Sequence, residues 1–380
     1  MTSHSIAGRD ALTGQSLRIA IESGRIQSVS PGPAGETAWL AAGFIDLQVN
    51  GYCGCDVNGE TVDADAVIAL TERLAATGVT TFAPTIITAS EDQIVRALAA
   101  IARARAVSAR AAHAIPFVHV EGPFLSPEDG ARGAHPRAAV RPPNLAEFER
   151  WQAVGGGLVG MVTLSPHWEN APAFIAAIAA RGVRVALGHT HATPEQIHAA
   201  AEAGAILSTH LGNGIAAVLP RHPNPIWAQL ADDRLTASFI ADGHHLPADT
   251  LKAMLRAKSV ARSILVSDVT AIGGMPPGTY HAAIGGGVEL RADGSLRMVG
   301  PQLLAGAALP LKDGIAHCAV SGICSLGDAI RMTTENPGRF ASGRGVLCTG
   351  APADIVRFSL DTQQKRLNLD TVLVEGVELH

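Results

Sequence analysis

Short apolar runs alternate with longer mixed stretches through the middle of the chain. Eight runs of β-prone residues, each broken at Gly, Pro or a polar residue, cover 43–49, 80–88, 115–120, 158–164, 183–187, 205–208, 235–240 and 264–267. Runs of this length and punctuation predict strands. Helix-like segments fall between several of them, at 63–76, 91–106, 172–181 and 194–203. Thr193-Pro194-Glu195-Gln196 carries a capping Thr, Pro at the first helical position and Gln three residues after the cap. Strand and helix in alternation predict a parallel (β/α)₈ barrel, in which chemistry sits at the C-terminal strand ends.

The two ends of the chain follow a different rhythm. Residues 17–29 alternate apolar and polar positions around Ser23-Gly24, which predicts a hairpin. Segments 353–358 and 371–378 have the same character. The expectation is a small β-sandwich domain built from 1–42 plus 343–380, with the barrel over 43–342 inserted between them. Residues 280–299, with Gly285-Gly286-Gly287 and Asp293-Gly294, interrupt the alternation and predict a β-hairpin insertion after the eighth strand.

Composition narrows the class. Hydrophobic residues make up 47% and charged residues 17% of 380, enough for a large buried core and too little charge for disorder. A net charge of −5 offers no basic field for nucleic acid or anionic lipid, so neither partner is expected. Five cysteines spread over the chain do not form a disulfide framework. The first ten residues lack a signal-peptide core and no apolar run reaches membrane length. The cytoplasm is the expected location.

Five of the apolar runs end on groups that bind metals or move protons. They lead to Glu121, His189, His210, His245 and Asp268. Catalytic zinc-type sites use three protein ligands, often two imidazoles and a carboxylate, and keep a position open for water. Glu121, His189 and His210 follow the third, fifth and sixth strands, whose ends share one barrel mouth, each with a glycine close by. Any one of them alone reads as a satisfied polar residue near the core; together they read as ligands. Asp268, after the eighth strand, is either the group that takes a proton from metal-bound water or a loop anchor. The first strand has Gln48 and Asn50 where many metal-dependent barrels have His-x-His, and the fourth has no Lys, so one metal ion is expected rather than two. His119 shares a strand face with Glu121 and is either its hydrogen-bond support or an interior packing residue. Cys53-Gly54-Cys55 is either a chelating pair or two free thiols. His167, His191 and His222 carry no assigned role.

At this point the sequence resembles the N-acetylglucosamine-6-phosphate deacetylases of the amidohydrolase superfamily. The resemblance rests on Gly43-Phe44-Ile45-Asp46-Leu47-Gln48-Val49-Asn50-Gly51, His119-Val120-Glu121-Gly122-Pro123-Phe124-Leu125, Gly133-Ala134-His135-Pro136, Gly188-His189-Thr190, Thr209-His210-Leu211-Gly212-Asn213, Ala241-Asp242-Gly243-His244-His245 and Ser267-Asp268-Val269-Thr270-Ala271. It implies a barrel with a β-sandwich from both termini, in a homodimer. It implies that Glu121, His189 and His210 hold one divalent ion per subunit, zinc first, with Fe²⁺ or another divalent ion as alternatives. It gives Asp268 the acid/base role, with His245 stabilising the oxygen that becomes negative. Its substrate contacts fall on Gln48, Ala134, His135, Asn213, Gly214, Arg221, His245, Leu304, Ala305 and Gly306. Arg221 offers a guanidinium fork suited to a phosphate. Three departures lie near the expected sugar pocket. Asn213-Gly214-Ile215 stands where the family has Asn-Ala-Met, Ser165-Pro166-His167 where it has Ala-Pro-Glu, and Ala307-Ala308 follows Gly306 where it has Gly-Ser. The expected reaction is removal of the acetyl group from an N-acetylated amino sugar, N-acetylglucosamine 6-phosphate first. The rivals are an amidohydrolase acting on another N-acyl or cyclic amide, and a catalytically silent barrel scaffold.

Overall fold

The computed structural model describes residues 3–283, 286–300 and 303–379. Eight strands stand side by side in chain order: β1 (Phe44–Val49), β2 (Val79–Ile87), β3 (Val118–Glu121), β4 (Val159–Leu164), β5 (Arg184–Leu187), β6 (Ala205–Ser208), β7 (Thr236–Ile240) and β8 (Ser263–Val266). Each pairs in parallel with the next. Between β8 and β1 the ring closes at its C-terminal rim. Asp268 N–H donates to the Gln48 carbonyl (3.0 Å) and Asn50 N–H donates to the Val269 carbonyl (2.8 Å). Ser267 N–H donates to Asp46 Oδ1 (3.1 Å).

The pleat sorts side chains between two cores. Ile45, Leu47, Phe117, Met161, Leu207 and Val266 fill the barrel interior. Phe44, Val49, Val118, Val120, Val162 and Leu187 face outward into the helical shell. There Phe124 stacks on Trp151 with ring centroids 5.4 Å apart and meets Phe174 edge-on at 5.2 Å. The helices start where capping residues stand. Asp63 accepts the Ala66 N–H at the head of the Ala64–Ala75 helix. Ser90 and Gln93 form a reciprocal capping box for Glu91–Val107. Thr193 and Gln196 form another for Pro194–Glu202.

Strands from both ends of the chain join in one seven-stranded sheet. Ile355–Asp361 lies between Arg366–Val374 and Trp39–Ala42, and the order continues through Ser3–Asp10, Ser16–Glu22 and Arg25–Pro31. The sheet curls so far that Ile26 N–H, on the last strand, donates to the carbonyl of Ala351, just before Ile355–Asp361 (2.9 Å). The two halves of this roll enclose Ile19, Ile21, Ile26, Leu40, Ile355 and Leu373. The sandwich expected from the sequence is thus one sheet folded over itself. Its other face meets the barrel, with Phe358 edge-on to Phe44 at 6.4 Å. The insertion after β8 is a three-stranded antiparallel sheet (Gly278–Ala282, Gly286–Leu290, Leu296–Met298) rather than a single hairpin. Ile284 and Gly285 at its first turn lie outside the described residues.

Candidate active site

Three of the expected functional side chains stand two residues past the end of a barrel strand: His189 after β5, His210 after β6 and Asp268 after β8. All three have left-handed backbone, with φ of 47°, 28° and 54°. That region is sparsely populated by residues other than glycine, and each such position costs on the order of 1–3 kcal/mol. The conformation ends the strand abruptly and turns each side chain over the mouth. Glu121 gets there differently, as the last residue of β3. The chain breaks immediately after it at Gly122, where φ is 82° and a Cβ would lie 2.1 Å from Thr88 Oγ1. No other residue type fits that step.

The Glu121, His189 and His210 side chains converge, with ligand atoms within 4.8 Å of one another, and all three are buried. Glu121 Oε1 lies 3.0 Å from His210 Nε2 and 3.5 Å from His189 Nε2. His189 Nδ1 donates to the Ala131 carbonyl (3.0 Å), which leaves the Nε2 lone pair facing the cluster. That lone pair meets the Glu121 carboxylate and His135 Nε2, 3.2 Å away. Acceptors turned on one another in a dry site are the arrangement a cation resolves. The donor set therefore fits a divalent metal, with Glu121, His189 and His210 as its holders. Burial opposes ionisation of Glu121, but the His189 and His210 imidazoles beside it outweigh burial and hold the carboxyl well below the usual range. Burial likewise opposes charge on His210, yet Glu121 raises its proton affinity.

Asp268 faces this cluster. Gln48 Nε2 donates to Glu121 Oε1 and to Asp268 Oδ1, both at 3.1 Å, so one amide spans the two carboxylates. Asn50 Nδ2 donates to the same Asp268 oxygen at 2.8 Å. Burial, then the Glu121 charge, raises the Asp268 carboxyl to about 6. Asn50 went unassigned in the sequence; its spacing of two from Gln48, on the same strand face, was the available signal. His119 does not reach the cluster. Its Nδ1 donates to the Leu47 carbonyl (3.2 Å) and Thr163 Oγ1 donates to its Nε2 (2.7 Å). Burial lowers it to about 4, so it is a neutral brace inside the barrel.

A cavity of about 320 Å³ opens over these groups. Glu121, Ala134, His135, His189, His210, Asn213, Gly214, His245, Asp268, Leu304 and Gly306 all line it, together with Asn50. His135 is buried and held neutral, lowered to about 3 by burial and by His189. Gly214 brings backbone against the metal-site imidazole: a Cβ there would lie 2.6 Å from His189 Nδ1. Of the remaining expected contacts, Ala305 is buried beside the lining and Gln48 lies beneath it between the carboxylates. Arg221 sits on the exposed stretch that follows Ala217, outside the lining. A larger recess of about 900 Å³ runs between Asp56, Arg141 and His281, but no metal-binding cluster among the described residues lies in it. Cys53 and Cys55 are free thiols.

The comparisons with known proteins agree with this geometry. The amidohydrolase family matches residues 39–379. An N-acetylglucosamine-6-phosphate deacetylase from Bacillus subtilis (strain 168) is 30% identical over 331 residues, 85% of this chain and 81% of that protein. An N-acetylgalactosamine-6-phosphate deacetylase from Escherichia coli O157:H7 is 30% identical over 370 residues, 96% of this chain and 94% of that one. Among solved structures, a mutant of the Mycobacterium smegmatis N-acetyl-D-glucosamine-6-phosphate deacetylase, in complex with N-acetyl-D-glucosamine-6-phosphate, superposes with a TM-score of 0.89 at 28% identity, covering 100% of both chains. A matched family over nine-tenths of the length, and relatives of this extent, leave one conclusion: the chain belongs to the amidohydrolase family, in the group of the N-acetylglucosamine-6-phosphate deacetylases.

Proposed function

We infer that this chain removes the acetyl group from N-acetylglucosamine 6-phosphate, giving acetate and glucosamine 6-phosphate. The observation that carries the reading is the convergence of Glu121, His189 and His210 opposite Asp268, with Gln48 joining the two sides. Glu121, His189 and His210 would hold a divalent ion, which would supply Lewis-acid chemistry to the attacking water and the amide carbonyl. Asp268 takes the proton of the attacking water. It then returns that proton to the nitrogen as the C–N bond breaks. Gln48 and Asn50 fix the Asp268 carboxylate by its Oδ1, leaving Oδ2 for the proton. His245, on the cavity wall, is placed to donate to the oxygen that becomes negative. Arg221 is the expected phosphate contact; its stretch of chain continues from Ile215 and Ala217, which border the cavity.

Zinc is the ion we assign, because two imidazoles and a carboxylate suit it. A homodimer in the cytoplasm completes the reading. No helix among the described residues is long and apolar enough to cross a membrane. The test is acetate release from a panel: N-acetylglucosamine, its 6-phosphate, N-acetylgalactosamine 6-phosphate and cyclic amides. The glucosamine phosphate should turn over fastest. Preference for the galactosamine epimer would reassign the sugar and keep the chemistry. Turnover of none by metal-loaded protein would defeat the reading. Metal analysis and light scattering on the same sample check the ion and the dimer.

A further inference from the structure

His245 is held by a neighbour that itself never reaches the cavity. Asp242 stands two residues past β7 and its side chain is only 6% exposed. Its Oδ1 accepts the backbone N–H groups of His244 (2.9 Å) and His245 (3.0 Å). Its Oδ2 lies 2.7 Å from His245 Nδ1. The His245 side chain is 7% exposed and lines the cavity that holds Asp268, whereas Asp242 is absent from that lining.

We propose that Asp242 is a positioning residue for the deacetylation. It accepts the Nδ1–H of His245, so that Nε2 is the nitrogen presented to the substrate, and stands behind the ring when Nε2–H is donated. The inference rests on the deacetylase reading above. The physical basis is tautomer control. A carboxylate can only accept, so Nδ1 must carry a proton, and donation from Nε2 then needs a second proton on the ring, whose charge would face the Asp242 carboxylate. The carboxyl is suited to this: burial opposes its ionisation, but His245 holds it down at about 2. The bland alternative is that Asp242 only builds the turn through its two backbone bonds.

The two roles separate in Asp242→Asn. Two backbone N–H groups claim one side-chain oxygen, so the Asn carbonyl takes that place and its NH₂ turns to Nδ1. An NH₂ cannot accept the Nδ1–H, so the ring is left neutral with its proton on Nε2, a weaker donor than a ring paired with a carboxylate. The turn survives and the carboxylate's support is lost. The experiment is a double-mutant cycle on the metal-loaded enzyme with Asp242→Asn, His245→Ala and both together, read as kcat and kcat/KM for acetate release. The ¹⁵N shifts of the His245 ring are measured in wild type and Asp242→Asn. We expect Asp242→Asn to lower kcat/KM about tenfold or more, with metal content unchanged. The double variant should lie within about twofold of His245→Ala, and the proton should leave Nδ1. Activity of Asp242→Asn within threefold of wild type, or a full further loss in the His245→Ala background, would overturn the proposal. If Asp242→Asn fails to fold, Asp242→Ser replaces it in the cycle, since its hydroxyl can cap the turn but cannot reach the imidazole. The ¹⁵N readout needs no turnover, so a wild type that releases no acetate would count against the deacetylase reading and not against the Asp242–His245 pairing.

Discussion

Asp268 and Asp46 are both carboxyls raised by burial at the junction of β8 and β1, and they are raised for different ends. Asp268 stands near 6 with the Glu121 charge beside it, and a divalent ion pulls such a group back toward its ionised, proton-accepting form. Asp268→Asn keeps the shape and removes the base, so metal should stay bound while kcat falls at least 100-fold; an Asn variant near wild-type activity would refute the role. Asp46 accepts from Gln48 N–H and Ser267 N–H through Oδ1, while Oδ2 has no hydrogen-bond partner among the described residues. Burial, the largest influence, pushes it up to about 7. The folded state therefore binds a proton that the unfolded chain releases near 3.8. Its contribution to stability is complete below that value and is lost as pH rises through about 7, at about 1.4 kcal/mol per pH unit crossed. Relative to Asp46→Asn, whose amide fits the neutral form, the wild type should lose stability between pH 4 and 7 in denaturant melts. A difference that stays flat across that range would show that Asp46 is ionised in the fold.

At the scale of elements, the strand ends place the chemistry and the caps place the helices. Gly122→Ala puts a Cβ against Thr88 Oγ1 and forces alanine to φ 82°. We expect Tm to fall and metal affinity to weaken together, because Glu121 is the next residue; a variant with wild-type affinity would show that β3 can yield there. Thr193→Ala removes half of a capping box whose residues do not line the cavity. It should cost about 1 kcal/mol and leave KM and kcat alone. These features were legible in the sequence for physical reasons. Glu121, His189, His210 and Asp268 ended apolar runs, and glycines close to the first three marked the breaks. Thr193, Pro194 and Gln196 spelled a helix start. Other features were not legible, because they arise between segments. Nothing local tells Gln48 that Glu121 and Asp268 will flank it, since that depends on β1 standing between β2 and β8. Alternation in 17–29 and 353–378 gave strands, but a period of two does not say which strands pair. The three-stranded insertion therefore looked like a hairpin.

For the whole molecule, the metal site and fold stability are linked. An ion that binds only the folded barrel would stabilise it by mass action, at a rim where His189, His210 and Asp268 have left-handed backbone. Chelation should abolish activity and lower Tm, and added zinc should restore both; a Tm indifferent to chelator would mean the ligands do not hold the ion. The terminal sheet is the barrel's floor, and Phe358→Ala should cost roughly 3–5 kcal/mol through the lost contact with Phe44. The order of that sheet also carries a cost in time. Trp39–Ala42 hydrogen-bonds on one side to Ser3–Asp10 and on the other to Ile355–Asp361. During synthesis its second edge waits for a partner made some 300 residues later, roughly 15–60 s at ribosomal speed. For that interval the newborn chain shows an open edge to any neighbour able to add a strand, and a chaperone that shields the first 42 residues would protect this enzyme more than one that waits for the finished barrel.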